Sequence, residues 1–114
     1  MSLRLYADIA MSDQADARGR EHEALSEVVR RLEAAMRDPD DKAALNFALD
    51  FHDMLWRFFM SDLADPGNAL SDEVKAGLIS IGVWATQRSL MARMTGGDLR
   101  ALTETNAIVR DGLR

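Results

Sequence analysis

The chain has 114 residues and a mass of 12.7 kDa, the usual size of one domain. Hydrophobic residues make up 47% and charged residues 29%, a composition that excludes a largely disordered chain. The formal net charge of −5 opposes binding to nucleic-acid phosphates, and no segment approaches the ~20 apolar residues of a membrane span. The absence of cysteine excludes disulfides and thiolate chemistry, and we expect a cytoplasmic protein.

The first predicted helix runs from about Arg20 to Met36, because its apolar residues recur at intervals of three and four. Residues 1–17 show no clear periodicity, and we treat them as a provisional N-terminal arm. Asp38 and Pro39 end the helix, since the residue before proline avoids the helical conformation and aspartate favours turns. The second predicted helix then runs from about Asp41 to Leu63.

The third predicted helix begins at Ser71, a residue type that caps helix N-termini, and continues to about Met94. Two glycines, Gly96 and Gly97, end it, because glycine readily adopts the left-handed conformation of a helix C-cap. A short fourth helix is predicted from Asp98 to about Asp111. With short connections and no internal repeat, residues 1–114 are predicted to form one all-α domain, a bundle of about four helices.

The second and third predicted helices are apolar over more of their circumference than one neighbouring helix would cover. The second has a narrow polar face, and the third has apolar residues on opposite sides. Such a wide apolar arc serves a hydrophobic core, a homodimer or another partner equally well.

Neither histidine is in a pattern that indicates catalysis or metal binding. His22 is on a helix without a second ligand at metal-binding spacing, and His52 is inside the apolar arc of the second helix. A lone histidine in such an arc is more often hydrogen-bonded structure than a ligand or base, and its role stays open. Because no motif indicates an active site either, we expect a protein that is not an enzyme and that has no cofactor.

Five short segments follow one another along the chain, and they are Leu55-Trp56, Asp62-Leu63, Asn68-Ala69-Leu70-Ser71, residues 78–84 and residues 106–113. In their order and spacing, these segments resemble the FlaF family of flagellar biosynthesis regulators. The resemblance implies a cytoplasmic protein of alphaproteobacterial flagellar systems that promotes flagellin synthesis and export. We expect it to bind flagellin directly as a secretion chaperone. The alternative is a regulatory adaptor that acts on flagellin translation through the regulator FlbT without binding flagellin.

The sequence contains seven methionines, and methionine suits surfaces that must accept imperfect shapes. Each methionine alone could fill the core, but together with two tryptophans they predict at least one exposed groove. Such grooves commonly accept an amphipathic helix from another protein. The expected partner-binding residues are Trp56, Phe59, Met60, Trp84, Met91 and Met94.

Overall fold

The computed structural model describes residues 14–96 and 98–112, with side chains from residue 19 onward. These residues form four helices and no strand, which confirms the predicted all-α bundle. The helices are α1 (Gln14–Arg37), α2 (Lys42–Ala64), α3 (Asp72–Thr95) and α4 (Arg100–Gly112).

The start of α1 differs from the prediction, because the helix begins at Gln14 and not near Arg20. The added residues are mostly Ala, Asp, Gln and Arg, which form helix without contributing to an apolar stripe, so periodicity gave no signal for them. The last part of the provisional N-terminal arm therefore belongs to α1. The rest of that arm, residues 1–13, lies outside the described residues.

The helix ends that depend on capping residues agree closely with the prediction. The Asp41 side chain accepts a hydrogen bond from the Ala44 N–H at 3.0 Å, and the Ser71 hydroxyl accepts one from Val74 at 3.2 Å. Gly96 ends α3 with a φ of 65°, which a residue with a Cβ rarely adopts. Local chemistry thus sets these boundaries, as expected for capping.

The four helices form a ring in which each helix packs against two others. Both α1 and α3 pack against α2 and α4, and the contact between α3 and α4 is the smallest of the four. Because the connections are short, consecutive helices run antiparallel, the arrangement of an up-and-down bundle.

The side chain of Trp56 on α2 is fully buried at the centre of the bundle. Its indole N–H donates a hydrogen bond of 2.8 Å to Oδ1 of Asn106 on α4, the helix diagonally opposite in the ring. The Asn106 amide in turn donates to the Leu102 carbonyl at 2.8 Å. Both polar side chains are therefore satisfied inside an apolar core, which removes the cost of burying them unpaired.

The α2 and α3 helices approach each other closely where α3 carries Gly82. A Cβ at this position would lie 2.5 Å from Sδ of Met60 and 3.0 Å from Cε3 of Trp56. Glycine is thus favoured by the bulk of the facing Met60 and Trp56 side chains, with Met60 the closer, and not by an unusual backbone conformation.

We expect Gly82→Ala to lower the free energy of unfolding by about 1–3 kcal/mol, because the added methyl group overpacks the contacts with Met60 and Trp56. Gly77→Ala is the matched control on the same helix, where nothing lies within 4 Å of the added Cβ. That variant should gain up to about 1 kcal/mol from helix propensity. Urea unfolding measures both, and equal effects of the two substitutions would contradict the close approach.

We expect Asn106→Leu to lower the free energy of unfolding by about 1–3 kcal/mol, because it leaves the buried Trp56 N–H without an acceptor. Adding Trp56→Phe to this variant removes the unpaired donor, so the double variant should lose less than the sum of the single variants. A double-mutant cycle from urea unfolding measures the coupling. Additive losses would show that the hydrogen bond contributes nothing to stability.

Candidate functional site

Several large apolar side chains in the second half of α3 point away from the bundle. Met94 is 77% exposed, and Leu90 and Met91 are each more than half exposed. With Val83 and Trp84 they form what we call the outer face of α3. Large apolar side chains exposed together on one face of a helix are often a binding surface.

The fully buried residues of α3 are all small, and they are Gly82, Ala85, Ser89 and Ala92. Nearer the start of the helix, Leu78, Ile79 and Ile81 are partly buried and pack against the core. An ordinary surface helix has the reverse distribution, with its large apolar residues against the core and polar residues outside. The small residues let α3 approach α2 closely, and the bulky ones on the other side have no neighbouring helix. Burial of α3 in this bundle therefore leaves a bulky apolar face uncovered in the second half of the helix.

The outer face has the spacing of a helix that pairs with another helix. Val83, Gln87, Leu90 and Met94 follow one another at intervals of four, three and four residues, the repeat of a coiled-coil seam. Trp84 and Met91 are seven residues apart beside that seam. One polar residue, Gln87, interrupts the apolar row. The arrangement suits an amphipathic helix lying along α3.

The predicted partner-binding residues divide into two groups in the structure. Trp84, Met91 and Met94 are exposed on the outer face of α3, whereas Met60 is half-buried against Gly82. Trp56 and Phe59 lie in the core with their rings stacked at a centroid distance of 5.4 Å. The structure does not bring all six together, and Trp56 and Phe59 are unavailable to a partner in this conformation.

Sequence reasoning omitted two residues of the outer face, Val83 and Leu90. A signal for them was present, since the small residues of α3 recur at intervals of three and four and so mark one stripe of the helix. A stripe of small residues identifies the side on which another helix approaches closely. The large residues opposite that stripe could then have been assigned to the exposed side.

A second group of apolar residues is exposed on α2, but a cation covers part of it. Phe47 is 63% exposed and Phe58 is 52% exposed, with Met54 between them along the helix. The guanidinium of Arg31 on α1 lies 4.9 Å from the Phe47 ring centroid and 4.3 Å from that of Phe51. These cation–π contacts partly cover the aromatic surface, and no such contact covers the outer face of α3 among the described residues.

A polar cluster joins α2 to α3 beside the outer face. Arg93 donates hydrogen bonds to Asp50 at 2.7 Å and to Asp53 at 3.1 Å. The Asp53 carboxylate also lies 2.9 Å from Nδ1 of the fully buried His52. Burial alone would raise the pKa of Asp53, but hydrogen bonds from His52 and Arg93 outweigh it and lower that pKa below its ordinary value of 3.8. His52 is thus part of a hydrogen-bonded structural cluster, the interpretation that its sequence context favoured.

The described residues contain no group of three or more His, Cys, Asp or Glu side chains that could hold a metal ion. None of the four helices in the described part of the chain combines the length and hydropathy needed to cross a membrane.

The structure defines a small all-α bundle in which one helix exposes a bulky apolar face. The family described as "Flagellar protein FlaF" matches residues 2–113. Because the match covers nearly the whole chain, the chain belongs to the FlaF family and is a flagellar protein, which confirms the resemblance seen in the sequence. A comparison with curated proteins finds no match, and a comparison with solved structures finds none.

We expect Asp53→Asn to lower the free energy of unfolding by about 1–2 kcal/mol at pH 7, because the charged hydrogen bonds to Arg93 and His52 are weakened. The folded-state pKa of Asp53 is lowered, so its carboxylate stabilises the fold fully above the ordinary pKa of 3.8. This contribution is lost as the pH falls through the folded-state pKa.

Urea unfolding at pH 7 and at about pH 3 measures this dependence. The difference between wild type and Asp53→Asn should narrow at the lower pH. Asp50→Asn is the control, since the Asp50 side chain is 70% exposed and should contribute less. A difference that stays the same at both pH values would show that the Asp53 charge is not responsible.

Proposed function

We propose that this FlaF-family protein binds flagellin through the outer face of α3 and acts as a secretion chaperone that promotes flagellin synthesis and export. The observation that carries the proposal is the distribution of side chains in the second half of α3, where the fully buried residues are small and the five large apolar residues of the outer face are exposed. The match to a flagellar family directs the choice of partner towards a flagellar protein. The role is binding, and it requires no catalysis.

Unpolymerised flagellin has amphipathic terminal segments, and a chaperone must cover their apolar sides before export. The seam of α3 supplies a preformed helical surface against which such a segment would fold. Ordering the segment on binding opposes association, so the complex stays weaker than its contact area suggests. Such a complex can release flagellin at the export apparatus.

Size-exclusion chromatography with light scattering tests the proposal, using the full chain with monomeric flagellin. Wild type should form a stable complex. A Leu90→Asp/Met94→Asp variant should bind at least about 30-fold more weakly, the loss typical of a binding hot spot. Helicity measured by circular dichroism should be unchanged, because both side chains are already exposed.

Ile108→Asp on α4 is the matched control, since Ile108 is 71% exposed and lies outside the outer face of α3. It should bind flagellin as tightly as wild type does. If wild type and flagellin elute separately while FlbT co-elutes with the chain, the adaptor alternative replaces the chaperone proposal. Normal flagellin binding by the Leu90→Asp/Met94→Asp variant would place the contact surface elsewhere.

A further inference from the structure

Beyond its acidic first turn, α3 carries charges opposite in sign to the net charge of the chain. The chain carries a formal net charge of −5, yet no acidic residue occurs between Val74 and Gly97. The charged residues in that segment are Lys75, Arg88 and Arg93, and all are basic. The charges that this segment places around the outer face are therefore positive, although the net charge of the chain is negative.

Arg57 on α2 and Arg88 on α3 lie on opposite sides of the outer face. Arg88 is on the edge of α3 about 140° around the helix from Arg93, across the buried side. Since Arg93 faces α2, Arg88 lies on the edge towards α4. Arg57 is on α2, one turn after Asp53 and on the same side as the two aspartates that contact α3. Arg88 lies near the middle of the seam from Val83 to Met94. Arg57 lies one turn from Asp53, which contacts Arg93, so it is also level with the middle of the seam.

Neither Arg57 nor Arg88 has a side-chain ion pair or hydrogen bond with any residue in the described part of the chain. Arg57 is exposed and Arg88 is partly exposed. The other charges at this surface are used internally, because Arg93 binds both Asp50 and Asp53. The two arginines are therefore available to carboxylates supplied from outside.

We propose that the outer face of α3 binds an amphipathic helix whose apolar seam is flanked by acidic residues that pair with Arg57 and Arg88. This inference rests on the proposed function and names the chemistry of the segment that is bound. Rim charges of this kind select partners and orient them more than they add affinity.

A second copy of the chain fits this surface less well than an acidic helix does. Pairing two α3 helices would bring Arg57 and Arg88 of each copy near those of the other, with no acidic residue on α3 between Val74 and Thr95 to compensate. Like charges facing each other across an interface oppose association. The charge pattern therefore favours a partner of opposite charge over self-association.

Isothermal titration calorimetry tests the proposal with three designed helical peptides of about 20 residues. The peptides share one leucine seam and carry Glu, Gln or Lys beside it. At low salt the Glu peptide should bind about 3- to 10-fold more tightly than the Gln peptide, and the Lys peptide more weakly than either. The preference should diminish at high salt because the pairs are exposed.

An Arg57→Glu/Arg88→Glu variant should reverse the order of the peptides and favour Lys. The matched control is Arg30→Glu/Arg37→Glu, which changes the net charge equally on α1, a helix that does not pack against α3. It should keep the preference for Glu. The proposal would be overturned if the three peptides bound with equal affinity or if none of them bound. It would also be overturned if the control variant lost the preference for the Glu peptide.

The outcome is separable from that of the flagellin experiment. Binding of the Glu peptide without binding of flagellin would reject the proposed partner and keep the acidic-helix specificity. The opposite outcome is flagellin binding that requires Leu90 and Met94 but is unchanged by the Arg57→Glu/Arg88→Glu variant. That outcome would keep flagellin as the partner and reject the acidic-helix specificity.

Discussion

The position of Trp56 constrains the rest of the bundle. Its ring fills the centre, where its N–H needs an acceptor and its bulk needs space. Asn106 on α4 supplies the acceptor, and Gly82 on α3 supplies the space by lacking a side chain. One large residue on α2 thus determines which residue types the two neighbouring positions can hold, as close packing requires.

The same constraint explains why α3 has its large residues outside. From Gly82 onward, where α3 lies close to Met60 and Trp56, its buried residues are small, and Ala85, Ser89 and Ala92 continue the stripe begun by Gly82. Leu90, Met91 and Met94 lie on the other side of this part of α3 and are exposed. An exposed apolar face of this size is an aggregation hazard unless a partner covers it, which links the packing of the core to the proposed binding function.

The polar cluster of His52, Asp53 and Arg93 gives α3 a fixed position on α2. Its hydrogen bonds are directional, so they add a geometric constraint to the close packing of α2 and α3 at Gly82. The outer face is therefore held as a preformed platform, so a partner helix does not have to order α3 on binding. Because the cluster uses Arg93 internally, it leaves Arg57 and Arg88 as the cations that a partner can reach.

Local chemistry in the sequence determined the number of helices, the caps at Asp41, Ser71 and Gly96, and the membership of a flagellar family. It did not determine which apolar arc of α2 and α3 is buried. Periodicity places apolar residues around a helix axis, but the neighbours that cover each arc are set by distant segments. Trp56 and Phe59 were expected at the surface, and only the tertiary structure placed them in the core. The space beside Trp56 depends on Gly82, which is far away in sequence and leaves room for the Met60 and Trp56 side chains.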